Sequence, residues 1–494
     1  MWVRGKFESY RRWRSRDLGA FSPFDAPGPF HVDRLGIERA GKRPNLSDEG
    51  RSVGNPHQKR FLLVALGTVG DVAPQMALAA RLRARGHEVA FLSQEAHRPL
   101  ITAAGFPFTA LDNHGSEKFF TENAAVVGGN VLKTFRLVAS RGFLPHAERV
   151  FQHLKEREDP ARTLVVAGSF AWGARLAREQ LGFRVVTIHL QPTLLANAPH
   201  PPTGFRVPRW IRALLFRAAE SLLIDPVLAP ALDRIAAKPL HLSRVLSRWN
   251  HSPDGVLCLF PEWLADSRQD LPPNSTLAGF VGGPGASVPR SLPDWLSARL
   301  DAGERPVVVT AGTGINAAKQ YFAAAADACA KLGIPALFVT RAREQLPACL
   351  PSCVTHVDYV DFAALLPRAS ALVHPGGIGT IANAVAAGCP QLIVPFTSDQ
   401  PENAGRLRDL GLAISIKPRS FTGARAAKAL RRLLDDTGLR ERTARLAPTI
   451  EFEASAETAC AFLESRAPAL MTRSSPGHRH TWHPARHTPE TRVA

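Results

Sequence analysis

The chain has 494 residues, 45% of them hydrophobic, which is the proportion of an ordinary soluble protein and length enough for two or more domains with sizeable cores. Its formal charge of +18 is unevenly spread: residues 1–60 carry 13 Lys/Arg against 7 Asp/Glu, and residues 471–494 carry 4 Arg against one Glu. An excess of that kind suits anionic ligands or acidic lipid surfaces, whereas nucleic acid is excluded because no module for it is present and aromatics do not interleave with the basic residues.

Residues 1–58 mix Pro, Gly, Arg and Ser without sustained periodicity and read as a flexible basic arm. The first thirty residues lack the apolar core of a secretory signal, and no charge-free apolar run reaches about 18 residues, so a cytoplasmic protein is expected. From residue 61 the chain alternates strand and helix. Phe61–Leu66 is a continuous apolar run, as in a parallel strand covered on both faces. A glycine turn follows, then a helix over Pro74–Arg85, with Pro at its start and Gly86 past its end. Glu88–Ser93, Thr163–Ala167, Val185–His189 and Val256–Phe260 read as further strands.

Between these strands, residues 117–150 hold apolar stretches, including Phe119, Phe120, Val126, Val127, Leu132 and Phe135, and a Pro-rich loop runs over 192–208. Arg209–Arg217 begins an amphipathic helix with Trp210, Ile211, Leu214, Leu215 and Leu222 on one face and arginines elsewhere. Such a helix either rests on an anionic bilayer or packs its apolar face into the core with its basic face solvated; both readings are open at this point. His189 and His251 are secondary polar candidates that strand-end or loop packing explains equally well.

The Gly- and Pro-rich segment 282–294 is the clearest linker. Beyond it the rhythm restarts with strand Val307–Ala311, a Gly312-Thr313-Gly314 turn and helix Ala317–Leu332. Strands at Ala336–Thr340, Thr355–Val357, Ala371–His374 and Gln391–Pro395 follow, and a helical stretch over about 423–465 closes the domain and packs back across the hinge. The expected organisation is an α/β chain with domains at 59–281 and 295–470, followed by a disordered tail over 471–494. The six cysteines are scattered, with only Cys349 and Cys353 close together and no metal-ligand spacing around them. They read as small buried hydrophobes, and no metal site is expected.

The motif that carries chemistry is His374-Pro375-Gly376-Gly377-Ile378-Gly379-Thr380, followed by Asp399-Gln400. A buried strand turns through glycines into a helix at Ile378, which aims unpaired N–H groups and the positive end of a helix dipole at a ligand. A diphosphate suits that cradle, and a carboxylate and amide delivered to the same sheet edge suit sugar hydroxyls. The residues therefore point to a nucleotide-sugar site. The Gly67-Thr68-Val69-Gly70-Asp71 turn offers a carboxylate at the end of the first strand, as a base or as a helix cap.

These motifs, with Asn403 and Pro74, resemble the two-domain, metal-independent GT-B glycosyltransferases, in the branch shared by sterol, antibiotic and rhamnolipid enzymes, over about residues 60–465. Segments Gly168–Arg175 and Trp249–Val256, with Leu259-Phe260-Pro261-x-Trp263, are similar to the rhamnosyltransferase family that makes mono-rhamnolipid. The resemblance implies a GT-B fold, two Rossmann-like doubly wound domains facing each other across a cleft. It implies Asp71 as catalytic base, in the place of a family histidine, beside the Gly67, Thr68 and Gly70 loop. It implies a diphosphate held by His374, Gly376, Gly377, Gly379, Thr380, Gly312 and Thr313, with the sugar on Asp399 and Gln400. The nucleobase would lie at Tyr359 and Val360, where the family's usual Trp or Ala-Pro pattern is altered, so the choice of thymine or uracil is open. His374 would hydrogen-bond or, protonated, ion-pair the diphosphate; the bland reading is a strand-end histidine satisfied by backbone.

The implied reaction is inverting transfer of a hexose, L-rhamnose from dTDP-rhamnose, to the hydroxyl of a 3-(3-hydroxyalkanoyloxy)alkanoate. No cofactor or metal is expected, the chain lacking an Asp-x-Asp triplet. Partners would be the nucleotide sugar and a lipophilic acceptor, with peripheral contact at the inner membrane surface. The alternatives are a UDP-glucose-dependent glucosyltransferase for a sterol, polyketide or flavonoid-like alcohol, a nucleotide-sugar epimerase, and a non-catalytic binding protein.

Overall fold

The computed structural model describes residues 58–112, 135–195, 208–265, 271–282, 291–312, 318–396 and 399–468. The basic arm, the C-terminal tail, the apolar residues from Phe119 to Leu132, most of the Pro-rich loop, most of the linker and Thr313 lie outside them.

Two parallel sheets organise the chain. The first runs β3(Phe108–Ala110)-β2(Glu88–Ser93)-β1(Arg60–Ala65)-β4(Thr163–Gly168)-β5(Arg184–His189)-β6(Val256–Cys258)-β7(Ser275–Leu277). The second runs β10(Val354–Val357)-β9(Ala336–Val339)-β8(Val307–Thr310)-β11(Ala371–His374)-β12(Gln391–Ile393)-β13(Ala413–Ser415). Strands β1, β4, β8 and β11 are buried along nearly their whole length, which is why their sequences are unbroken Val, Leu and Ala runs. The short edge strands β3, β7 and β13 are three residues each and carry no such run, so periodicity alone did not reveal them.

Around the first sheet lie α1 (Val69–Ala84), α2 (Arg98–Ala103), α3 (Leu144–Arg157), α4 (Trp172–Leu181), α5 (Arg209–Ala219) and α6 (Asp225–Ile235). Around the second lie α7 (Asp294–Asp301), α8 (Lys319–Leu332), α9 (Phe362–Leu365), α10 (Ile378–Ala386), α11 (Gln400–Asp409), α12 (Gly423–Asp435), α13 (Thr437–Leu446) and α14 (Phe452–Arg466). Helix α1 begins at Val69, five residues before the expected Pro74, because Asp71 folds back on Thr68 and closes the first turn. Pro74 therefore sits inside the helix.

Of the closing helices α14 packs against the first lobe. Ala456, Ala459, Cys460 and Leu463 join the apolar core of Phe61, Met76, Leu78 and Val186. Arg81–Glu457 at 2.7 Å and Arg85–Glu464 at 2.6 Å flank that contact. Partly exposed pairs of this kind contribute about 0–1 kcal/mol each, so apolar burial holds the helix. A second bridge between lobes is a shared apolar cluster, with Val256, Phe260 and Leu264 of the first against Ile381, Val385 and Leu407 of the second. Buried Arg406, paired with Glu402 at 2.7 Å, donates to the Leu264 carbonyl at 3.1 Å across that contact.

The segments Gly168–Arg175 and Trp249–Val256 meet in the first lobe. Arg175 is buried, donates to the Trp249 carbonyl at 3.0 Å and lies over the Trp249 ring. Both segments are thus part of the scaffold.

Candidate functional site

In each sheet, strand order reverses at one place: between β1 and β4 in the first and between β8 and β11 in the second. Open α/β sheets bind ligands beyond the C-terminal strand ends at such a switch point. The residues singled out from sequence fall there: Gly67 to Asp71 follow β1, Gly312 follows β8, and His374 to Thr380 follow β11. Ile378, the first residue of α10, packs against the first lobe's core, so the second lobe's switch-point helix starts at the interlobe contact.

At the first switch point Thr68 donates its backbone N–H (2.7 Å) and its hydroxyl (2.9 Å) to Asp71 Oδ2. Gly67 has a φ of +122°, and a Cβ there would lie 2.4 Å from Asp71 Oδ2, so glycine is what lets the carboxylate fold beneath the turn. Asp71 Oδ1 has no hydrogen-bond partner among the described residues. Burial pushes the carboxyl pKa up from 3.8, opposed by the two hydrogen bonds from Thr68. The site therefore holds one oxygen and presents the other, with basicity above that of an ordinary Asp. Gly70 lies in the exposed first turn of α1.

At the second switch point α10 starts with no side-chain cap at Gly377. The N–H groups of Ile378, Gly379 and Thr380 consequently have no intrahelical acceptor. A Cβ at Gly377 or Gly379 would meet nothing within 4 Å, so neither glycine is required by packing against the protein. Gly376 differs: its φ is +98°, and a Cβ would lie 2.8 Å from Ile393 Cγ2. A Cβ at Gly312 would also enter open space.

His374 is placed otherwise than the ion-pair expectation. It is fully buried, accepts the Gly376 N–H at Nδ1 (3.2 Å), and its Nε2 lies 3.1 Å from Gln391 Oε1. An acceptor on one side and a donor on the other fix the neutral Nε2–H tautomer. Burial pulls its pKa down to about 4, only partly offset by Gln391. An imidazolium on the diphosphate is replaced by a neutral ring that shapes the glycine loop, which is the backbone-satisfied alternative.

Asn403 ties the loop to the next strand end, donating to the Gly376 carbonyl at 3.0 Å and to Asp399 Oδ2 at 2.7 Å. Asp399 occupies the N-cap position of α11, but its side chain turns to Asn403. Gln400 Oε1 accepts the Phe396 N–H at 2.9 Å. Tyr359 is exposed with the Arg341 guanidinium over its ring, and Val360 is buried. Asn383 donates to the Gly379 carbonyl, a structural role. It also lines a hollow of about 510 Å³ with Ala387, Ile450 and Phe452, at the far end of α10 from the glycine loop.

His189 ends β5, fully buried. Ser169 donates its hydroxyl to the Ile188 carbonyl (2.9 Å), so the 3.0 Å contact of the same oxygen with His189 Nδ1 is a hydrogen bond donated by the ring. Its Nε2 is a lone pair with no partner among the described residues, next to the His251 ring. Sequence alone left this residue open between a polar role and packing; the orphaned atom is visible only in three dimensions. Among the described residues no His, Cys, Asp and Glu side chains gather as a metal site.

Comparisons with known proteins bear on the family resemblance and the fold. Residues 61–159 match the glycosyltransferase family 28 N-terminal domain, and residues 327–458 match the erythromycin biosynthesis protein CIII-like C-terminal domain. The chain is 29% identical to O-mycaminosyltylonolide 6-deoxyallosyltransferase of Streptomyces fradiae, covering 85% of this chain and 100% of that protein. It is 25% identical to sterol 3-beta-glucosyltransferase of Arabidopsis thaliana, over 84% of this chain and 67% of that one. Among solved structures, the calicheamicin glycosyltransferase CalG4 superposes with a TM-score of 0.62 at 19% identity, covering 83% of this chain and 98% of that one. Glycosyltransferase VinC in complex with dTDP superposes at 0.57 with 20% identity, over 82% and 100%. The fold is that of these two-domain enzymes.

Proposed function

We propose that this GT-B glycosyltransferase, with its family 28-like first domain and erythromycin CIII-like second domain, transfers a 6-deoxyhexose, L-rhamnose, from its dTDP donor to a hydroxyl of a lipophilic acceptor. The observation that carries the reading is the pair of switch points, a half-free carboxylate at one and an uncapped, glycine-open helix end at the other. Asp71 Oδ1 takes the proton from the acceptor hydroxyl, and that oxygen bonds to the anomeric carbon from the face opposite the diphosphate. The sugar–diphosphate bond breaks, and the electron pair leaves with the diphosphate. The growing charge is stabilised by the N–H groups of Ile378, Gly379 and Thr380, aided by the backbone at Gly312 and Thr313. His374 acts on the donor indirectly, by holding the Gly376 turn. Asp399 and Gln400 receive the sugar hydroxyls, the base lies against Tyr359 and Val360, and no resident cofactor or metal is required.

A deoxysugar is supported by the relative named for 6-deoxyallose transfer. The lipidic acceptor, of the 3-(3-hydroxyalkanoyloxy)alkanoate kind, rests on the similarity to mono-rhamnolipid enzymes. A second reading, glucosyl transfer from UDP-glucose to a sterol-like alcohol, is favoured by the sterol glucosyltransferase relative. Donor hydrolysis and transfer assays with dTDP-rhamnose and UDP-glucose separate the two. Turnover of dTDP-rhamnose with an added hydroxyalkanoate ester is expected. Turnover of UDP-glucose alone would reject the deoxysugar, and epimerised free sugar without acceptor would reject transfer itself.

A further inference from the structure

Helix α5 does not do what a core helix with a solvated basic face would do. Apolar residues of α5 and of the π-helical turn after it point outward: Trp210 is 69% exposed, Leu214 60%, Leu215 62% and Leu222 73%. With Leu223, these make up five of the nine large apolar side chains exposed among the described residues, so the exposure is concentrated and not scattered. The positions recur turn after turn, Trp210 to Leu214 and on through exposed Ala218 to Leu222, which makes one stripe.

The stripe is anchored at its C-terminal end. Glu220, fully buried in a π-helical turn between α5 and α6, accepts the Leu246 and Ser247 N–H groups at 2.9 and 2.7 Å. Asp225 accepts the Arg244 and Val245 N–H groups at 2.7 and 3.0 Å. The two carboxylates fasten the segment that follows α5 to the 244–247 turn. Opposite them the apolar face has no partner among the described residues.

Charge identifies the occupant. Residues 191–219 contain Arg206, Arg209, Arg212 and Arg217 and no acidic residue, and the first carboxylates met, Glu220 and Asp225, are consumed by backbone donors. An exposed Trp- and Leu-bearing stripe in a stretch of purely positive charge matches the interface of an anionic bilayer, where rings and aliphatic chains enter the acyl boundary and arginines meet headgroups. We infer that α5 is a membrane-docking helix that seats the first lobe on an anionic lipid surface. This rests on the proposed lipophilic acceptor only for its purpose; the docking itself stands on the helix.

The test is co-sedimentation of the full-length protein with vesicles of phosphatidylcholine alone and of phosphatidylcholine with phosphatidylglycerol. Binding to the anionic vesicles is expected, weakened at least about tenfold by the double substitution Trp210→Ser, Leu214→Ser and by Arg217→Glu, and reduced by salt. The basic residues 1–57 are the same in every variant, so a difference between proteins reports the helix. Transfer to a short, water-soluble acceptor should be unchanged in these variants, which separates failure of docking from failure of the catalytic reading. Equal vesicle binding by wild type and variants would overturn the inference. So would a dimer in size-exclusion chromatography that the double substitution dissociates, since a second copy would then cover the stripe.

Discussion

At β1 and at β11 the chain leaves a parallel strand at its sheet's switch point and enters a helix, yet the two helix ends are occupied differently. The α1 end already carries a carboxylate, Asp71, drawn over its first turn by Thr68. The α10 end carries nothing: no side-chain cap, and open space where Gly377 and Gly379 side chains would be. A diphosphate would meet a like charge at the first and free N–H groups at the second. In the proposed function, base chemistry falls to one lobe and anion binding to the other, although both use the same topology.

The strongest way to break that division is Asp71→Asn. The amide oxygen can still accept from Thr68, so folding should persist, while transfer falls about a thousandfold, within the usual range for loss of a general base. Affinity for thymidine diphosphate, measured by calorimetry, should stay unchanged. Near-normal transfer would remove Asp71 from the base role.

Gly377→Asp sharpens the contrast by building the α1 arrangement into α10. Its φ of −64° is ordinary and the space is empty, so the new carboxylate can cap the helix. Stability should rise by a few tenths of a kcal/mol, roughly 0.3. Donor affinity should fall roughly tenfold to a hundredfold, the loss expected for charged hydrogen bonds worth about 1.5–3 kcal/mol. Thermal melting and nucleotide titration of the same sample read both effects, and a fall in stability with unchanged affinity would contradict the account.

How much of this was legible beforehand follows from what each residue depends on. Strands β2 and β11 were readable to the residue, because buried parallel strands are unbroken apolar runs. The α1 start was misread because its cap is a side-chain contact between Thr68 and Asp71, which leaves no periodicity. His374 was found as part of a motif, but its neutral state depends on Gln391, seventeen residues away in sequence. The exposed face of α5 was undecidable from its pattern, since an amphipathic helix looks the same facing a core or facing lipid. The two segments that most narrowly suggested a rhamnolipid enzyme prove to pack on each other through Arg175 and Trp249.

Two smaller effects concern the C-terminal lobe alone. Gly376→Ala forces a left-handed backbone on alanine and a Cβ against Ile393, and should destabilise the protein by about 1–3 kcal/mol in denaturant unfolding. Unchanged stability would mean the loop relaxes freely and is not the fixed cradle described. His374 gives a pH signature. Held at about 4 against 6.5 unperturbed, it takes a proton later than the unfolded chain does as pH falls. Its contribution to stability is therefore complete above 6.5 and is lost as pH drops through that window toward 4. Thymidine diphosphate affinity should show no strengthening across pH 6.5, whereas a cationic contact would strengthen it there.

Amide hydrogen exchange with and without thymidine diphosphate tests the division of labour most directly, because it reads both helix ends in one sample. Nucleotide should slow exchange at Ile378, Gly379 and Thr380 and leave Val69, Gly70 and Asp71 unchanged. Protection at the α1 end with none at the α10 end would contradict the account.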